Sequence, residues 1–307
     1  MAKGKIAINV EYGALRTFCA LLNALPYPLA MALARGFGWL LVRVFRFKRR
    51  RTFERIRGVF PEMDETEVRT IALRSLQNVL MNGVEMMRAP KLDRGWMDRH
   101  VKDGAHYKDL LQELVDEGRG VVIMVPHSGN WYMAAWSMAK YGLPLFAIAA
   151  RQRNPKLDAW MNRQYGDIEV LDRDCRDTLV KIKERLQSGR AFAILPDLRV
   201  RRPDVAVEFL GGTANVSHGG AMFAVKSGSP IVVASMSRQK GRHCFNHLAT
   251  LRPDPRATDA KAEAARLTRE AMRLLDGEVR RRPQDWFWYN KRWILEPVTK
   301  EKKDELH

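Results

Sequence analysis

Gly120-Val121-Val122-Ile123-Met124-Val125-Pro126-His127-Ser128-Gly129-Asn130-Trp131 decides how this chain is read. The first half is a short, wholly apolar run rich in β-branched residues, as expected of a strand buried on both faces. Pro126 ends the run, Gly129 lets the backbone turn sharply, and residues 131–141 read as a helix. In an open α/β sheet reactive groups gather beyond the C-terminal strand ends, so His127 stands where a proton-exchanging group is useful. The same position also suits a histidine that merely caps a helix.

Outward from this stretch the pattern repeats. Strands are predicted at 145–150, 168–171, 191–195 and 230–236, and helices at 155–165, 178–187, 221–227 and 260–281. Alternation of this kind implies an α/β fold: a mixed, largely parallel central sheet flanked by helices. Residues 96–300 are assigned to that domain and 301–307 to a tail. Residues 1–95 read as helical and membrane-associating. Apolar positions dominate 15–47, and Arg46, Lys48, Arg49, Arg50 and Arg51 follow directly, a pairing that suits an anionic bilayer surface. A buried helical hairpin with a solvated basic loop is the plainer alternative. Pro26, Pro28 and Arg35 interrupt the apolar stretch, which makes it marginal as a spanning helix. Asp64, after Phe60-Pro61, is placed to cap a helix running to about residue 87. No cleavage site follows a short apolar segment, so a removed signal peptide is not expected. The final Lys-Asp-Glu-Leu is followed by His307 and is discounted as a retention signal.

The chain has 307 residues, 46% of them hydrophobic, and a formal net charge of +18. That charge attracts polyanions of any kind. No zinc finger, ribonucleoprotein-like segment or Gly-x-x-Gly clamp supports nucleic acid as the partner. Three widely spaced cysteines, Cys19, Cys175 and Cys244, form neither a disulfide framework nor a zinc motif. His243, Cys244 and His247 cluster without a fourth ligand at a sensible spacing, so a strand and turn with polar ends is the simpler reading and no metal is expected.

Residues 127–131, His-Ser-Gly-Asn-Trp, resemble the catalytic segment of the lysophospholipid acyltransferase superfamily. More narrowly they resemble the branch of the lipid A late acyltransferases and the phosphatidylinositol mannoside acyltransferases. Arg151 with Arg153-Asn154-Pro155, Arg163 before Tyr165-Gly166, Leu195-Pro196-Asp197, Glu208-Phe209-Leu210-Gly211-Gly212, and residues 284–293 with Trp286, Trp288, Lys291, Arg292 and Trp293 match further segments in order. The resemblance implies transfer of a fatty acyl chain from acyl carrier protein or coenzyme A to a hydroxyl of a membrane glycolipid or phospholipid. It further implies no metal or redox cofactor, His127 as general base, and a place on the cytoplasmic face of a bacterial inner membrane.

One position departs from that pattern. The family has Asp or Glu four residues after the position that follows its histidine; this chain has Tyr132 there. A phenol offers no negative charge at neutral pH. Asp197 or Glu208 is therefore expected to serve His127, with a non-catalytic lipid-binding protein on the same fold as the alternative. Asn130, Trp131, Tyr132, Arg151, Asn154, Arg163 and Arg199 are the expected substrate-binding residues. Backbone N–H groups near Gly129 and Asn130, or an arginine, would stabilise an oxyanion. Arg199, Arg201 and Arg202 form a cluster suited to phosphate.

Overall fold

A computed structural model describes residues 4–200 and 203–295; Arg201, Arg202 and the tail at 301–307 lie outside the described residues. Four helices lead: α1 (Lys5–Ala24), α2 (Tyr27–Arg43), α3 (Arg49–Val59) and α4 (Glu65–Arg88). Then come α5 (Arg94–His100), β1 (Val101–Lys102), α6 (Gly104–Leu114), β2 (Val121–Met124), α7 (Trp131–Lys140), β3 (Leu145–Ala149), α8 (Pro155–Tyr165), β4 (Glu169–Asp172), α9 (Thr178–Gln187) and β5 (Ala191–Ile194). The chain continues through β6 (Val205–Phe209), β7 (Gly212–Val216), α10 (Gly219–Ser227), β8 (Ile231–Gln239), β9 (Arg242–Leu251) and α11 (Ala260–Arg281).

The helices at 155–165, 178–187 and 260–281 have the bounds that the sequence predicts. Local chemistry sets two of these starts: Asn154 accepts from the N–H groups of Lys156 and Leu157 ahead of Pro155, and Asp259 accepts from Lys261 and Ala262. Asp64 caps α4 in a complete capping box, taking the Thr66 and Glu67 N–H groups while the Glu67 carboxylate accepts from the Asp64 N–H.

Among the described residues the sheet has seven strands in the order β1-β9-β8-β2-β5-β3-β4. Every pairing is parallel except β8 with β9, so the sheet is mixed and largely parallel. β2 lies between β5 and β8 and is buried along its whole length, as its apolar run requires. The pattern of apolar runs does not reveal β1, β9 or the separate antiparallel ribbon of β6 and β7. β9 carries Arg242, His243, Asn246 and His247, and a strand so polar shows no apolar run.

Two apolar layers sandwich the sheet. Val122, Met124, Phe146 and Phe192 pack on one face with residues of α3, α4, α9, α10 and α11. Val121, Ile123, Val125 and Ala191 pack on the other with α5, α6 and α7. Within the expected membrane-associating region, α3 and α4 thus share the main core. α1 and much of α2 stand outside it, held to α4 through Leu22, Ala30, Met31, Ala34, Met81 and Val84. Their other sides expose Phe18, Leu21, Leu33, Phe37 and Trp39. Among the described residues no helix is long and apolar enough to cross a membrane.

Asp64→Ala leaves two N–H groups at the start of α4 without their acceptor and should cost about 1 kcal/mol of stability. Urea denaturation measures this as a lower midpoint at an unchanged slope.

Candidate active site

The turn after β2 is shaped by a glycine that nothing else can replace. Gly129 has φ +57°, and a Cβ there would lie 1.8 Å from the Met236 carbonyl oxygen of β8. This close approach sets the path of the turn and presents His127 at the strand end. The His127 ring Nδ1 lies 2.7 Å from Asp197 Oδ1, and the His127 backbone N–H donates to Asp197 Oδ2 at 2.7 Å. The indole N–H of Trp286 donates to the same Oδ2 at 2.8 Å. Asp197 is fully buried, while the imidazole keeps 17% of its surface exposed. Burial alone would raise the Asp197 carboxyl; His127 and these three donors outweigh it and hold the group below its ordinary value. With Nδ1–H given to an ionised carboxylate, the neutral imidazole keeps its lone pair on Nε2. His127 lines the large cavity beyond the strand ends, so that nitrogen is the one left for a ligand.

A row of buried polar side chains on α4 carries the turn from behind. Ser75, Asn78, Asn82 and Glu85 recur three or four residues apart and therefore share a helix face. Ser75 donates to the Trp286 carbonyl at 2.5 Å, Asn78 to Asp285 Oδ1 at 3.1 Å, and Asn82 to the Gly129 carbonyl at 2.6 Å. Glu85 accepts from the Asn130 amide at 2.6 Å and from the Tyr27 hydroxyl at 2.6 Å. It also receives Arg238 of β8 at 2.8 Å and lies 2.9 Å from Nε2 of His243 of β9. Burial would raise the Glu85 carboxyl, but His243 and the Arg238 guanidinium hold it well below the carboxylate range. Burial pushes the His243 imidazole down. The segment at 285–287 closes the turn from the other side. The Gly129 N–H donates to the Asp285 carbonyl at 2.8 Å, and the Phe287 N–H donates to the His127 carbonyl at 3.0 Å.

His127 opens onto a cavity of about 580 Å³ whose lining is mostly apolar. Trp131 and Tyr132 wall it beside the histidine, and the Trp131 ring stands edge-on to the imidazole with centroids 5.0 Å apart. Arg199 and Arg292 line it as well, and the Arg199 N–H donates to the Arg292 carbonyl at 3.3 Å. A histidine held by a buried carboxylate at the mouth of an apolar cavity can deprotonate a hydroxyl held beside a hydrocarbon chain.

A family model for bacterial lipid A biosynthesis acyltransferases matches residues 10–294. The chain belongs to this family. It is 26% identical over 219 residues to a phosphatidylinositol mannoside acyltransferase of Mycolicibacterium smegmatis, covering 69% of this chain and 68% of that one. The corresponding enzyme of Mycobacterium tuberculosis H37Rv is 23% identical over 220 residues, covering 69% of this chain and 66% of its own length. A lipid A biosynthesis acyltransferase of Haemophilus influenzae is 23% identical over 282 residues, covering 90% of this chain and 88% of the relative. The mycobacterial alignments thus span about two thirds of those relatives.

Several residues expected at the site of this acyltransferase lie elsewhere. Glu208 is exposed on the β6–β7 ribbon opposite Thr213 and is not the carboxylate that serves His127; alternation along β6 turns it to solvent. Asn130 is fully buried, caps α7 through Met133 N–H and gives its amide to Glu85, so both ends of its side chain are committed to holding the turn. Asn154 is likewise committed, donating to the Ile8 carbonyl and to Glu11 of α1, both at 3.1 Å. Arg163 is exposed, its guanidinium 3.5 Å from the Tyr12 hydroxyl of α1. Arg151 pairs with Asp172 at 2.7 Å beside a smaller cavity of about 260 Å³. The Gly129 N–H, one candidate for the oxyanion, is taken by Asp285. His243 belongs to the Glu85 cluster, Cys244 is buried, and among the described residues no group of three or more His, Cys, Asp or Glu could hold a metal ion.

Sequence reasoning missed Trp286 as a ligand of Asp197 and missed the whole α4 row. The signal for the row was present: four polar side chains at helical spacing in a helix whose other inward residues, Arg88 apart, are apolar.

Asp285 supplies a pH test of this scaffold. Burial pushes its carboxyl up to about 6, against about 3.9 in an unfolded chain. Between these values the folded state holds the extra proton, so this contribution to stability is full below the unfolded value and is lost as pH rises through about 6. Asp285→Asn removes the dependence. Its stability relative to wild type should rise between pH 4 and 6 by about 2–3 kcal/mol and then level off; denaturation midpoints across that range check it, and a flat difference refutes it.

Proposed function

We propose that this protein is an O-acyltransferase that moves a fatty acyl chain from an acyl thioester, on acyl carrier protein or coenzyme A, to a hydroxyl of a membrane glycolipid. The observation that carries the reading is the buried Asp197 clamped to His127 at the mouth of a large apolar cavity. The family and the names of its relatives favour the same chemistry.

The acyl chain lies in the cavity, where each buried methylene contributes about 0.8 kcal/mol. The acceptor hydroxyl sits at His127 Nε2, which removes its proton as the oxygen attacks the thioester carbonyl. Asp197 keeps the ring in the required tautomer and stabilises the imidazolium that forms. Arg199 or Arg292 on the cavity wall faces the developing oxyanion. Collapse of the tetrahedral intermediate breaks the C–S bond, and the imidazolium returns its proton to the departing thiolate. The products are the ester and the free thiol. Tyr132 takes no proton in this scheme. Its phenol is pushed up by burial, and its ring stacks on Trp136 in the cavity wall. Asp197 supplies the negative charge that the residue at 132 lacks, which favours catalysis over passive lipid binding. No metal or redox cofactor takes part in this scheme.

We place the protein on the cytoplasmic face of a bacterial inner membrane, resting on its surface. Exposed Phe37 and Trp39 of α2 and Phe45 precede the basic run from Arg46 to Arg51, a combination suited to anionic headgroups.

His127→Ala and Asp197→Asn should each lower turnover of a palmitoyl thioester with a glycolipid acceptor by roughly 10²–10⁴-fold. Equal turnover in the wild type and the His127 variant would sink the mechanism. Mass spectrometry of lipids from a deletion strain should show the acceptor lighter by one acyl chain. Replacing Arg49, Arg50 and Arg51 by Gln should weaken binding to anionic vesicles by at least roughly tenfold, since each surface-facing cation adds about 1 kcal/mol. Vesicle flotation reads this, and unchanged binding argues against the proposed surface.

A further inference from the structure

β2, β5, β3 and β4 run side by side and parallel, so their C-terminal ends share one rim of the sheet. His127 follows β2 at that rim. Two other segments reach it. Asn154, in the turn after β3, holds α1 through the Ile8 carbonyl and Glu11, and Lys156 donates to the Asn9 side chain at 2.7 Å. α9 leaves the end of β4 and returns to the start of β5. Its first turn therefore stands at the same rim, and its last turn at the opposite edge of the sheet.

Both segments turn apolar side chains outward. On α1 the exposed Ile6, Val10, Thr17 and Leu21 fall on one stripe at helical spacing, opposite the side that carries Ile8, Tyr12, Cys19 and Leu22. On α9, Leu179 is 66% exposed and its neighbour Val180 57%. Among the described residues beyond Phe47, these two are the exposed large apolar side chains. α9 packs inward through Thr178, Ile182 and Leu186, so its core contacts leave the pair in water. Exposed Arg176 and Lys183 flank it in sequence. Single exposed apolar residues are ordinary, but an adjacent pair on the rim that carries His127 calls for a covering surface.

We infer that the first turn of α9 is a second membrane contact, in which Leu179 and Val180 enter the interface of an anionic bilayer while the outer stripe of α1 lies on the same surface. The inference rests on the membrane-surface reading above and adds a contact separate from the N-terminal segment. It also fixes the orientation: the rim with His127 faces the lipid, and the N-terminal strand ends face water. Three features favour a bilayer over a second copy of this chain or an acidic carrier protein. The apolar side chains come from two segments far apart in sequence, and a fluid surface meets both without the shape complementarity that a protein interface needs. The α1 stripe from Ile6 to Leu21 is about 22 Å long and convex, as suits a helix lying in an interface. Arg176, Lys183 and a net charge of +18 match anionic headgroups.

Spin labelling of the full chain tests this contact without requiring turnover. Cys175→Ser removes the exposed thiol, and Cys19 and Cys244 are buried. A nitroxide is then attached at Val180→Cys or, in a second sample, at Gln187→Cys in the last turn of α9, about 10 Å away along the helix. Vesicles of phosphatidylglycerol and phosphatidylethanolamine are added. Electron paramagnetic resonance reads collisions with oxygen, which dissolves in hydrocarbon, and with a neutral nickel chelate, which stays in water. At position 180 the nickel collision rate should fall roughly fivefold and the oxygen rate should rise; at position 187 neither should change. Leu179→Asp with Val180→Asp should lower vesicle binding at least roughly tenfold, since two apolar side chains lose their burial. Aspartate in a first helical turn favours the helix, so this variant keeps its fold. A label at position 180 that stays open to the nickel chelate while the protein floats with the vesicles overturns the α9 contact and leaves the N-terminal surface standing. Binding indifferent to the double aspartate change overturns it as well. Protein that does not float with vesicles at all overturns the membrane reading itself. Screening of position 180 without vesicles, by raised protein concentration or by added acyl carrier protein, assigns the pair to a protein partner and overturns the inference.

Discussion

Asp197 is a carboxylate with no contact with solvent, and the site is built around the need to satisfy it. A buried charge is tolerated only when it is paired and hydrogen-bonded. Here the pairing comes from the ring and the backbone N–H of His127 and from the Trp286 indole. These donors lie in two segments far apart in sequence. Satisfying one oxygen pair therefore fixes the imidazole, the turn after β2 and the segment near the C-terminal end of the described chain in one arrangement.

The same physics recurs one layer back. Glu85 is as deeply buried as Asp197 and collects Arg238, Asn130, Tyr27 and His243. Asn130 sits three residues after His127, and Tyr27 begins the helix that exposes its apolar side. The turn that presents His127 is thus tied through one carboxylate to the helix proposed to rest on the membrane. α4 mediates this tie, because its Ser75, Asn78, Asn82 and Glu85 meet the turn and the segment at 284–287 along a single face. Such a network works only when complete, since each member left unpaired would cost its full desolvation.

These connections also account for Tyr132. The resemblance implies a carboxylate at that position, but in this chain Asp197 already occupies Nδ1 of the histidine. The tyrosine packs against Trp131 and Trp136 and contributes apolar wall to the cavity. Tyr132 thus adds surface that favours a hydrocarbon chain.

Much of this molecule is legible in its residues. The apolar run at 121–125 allows no reading but a buried strand, and Asn154-Pro155 and Asp259 set helix starts that the structure keeps. These features are local: periodicity and capping act within a few residues, so the sequence alone determines them. The placement of His127 beyond a strand end is legible for the same reason. The choice between Asp197 and Glu208 is not. Both are acidic residues in matching segments, and only the folding of β6 into a separate ribbon turns Glu208 to solvent while Asp197 stays under the imidazole. Asn130, Asn154 and the α4 row were equally undecided, because whether a polar side chain meets ligand, solvent or another buried group depends on long-range packing. The sequence determined the elements and the place of His127; tertiary structure decided its partner, because burying a charge is a property of the assembled core and not of any short stretch of chain.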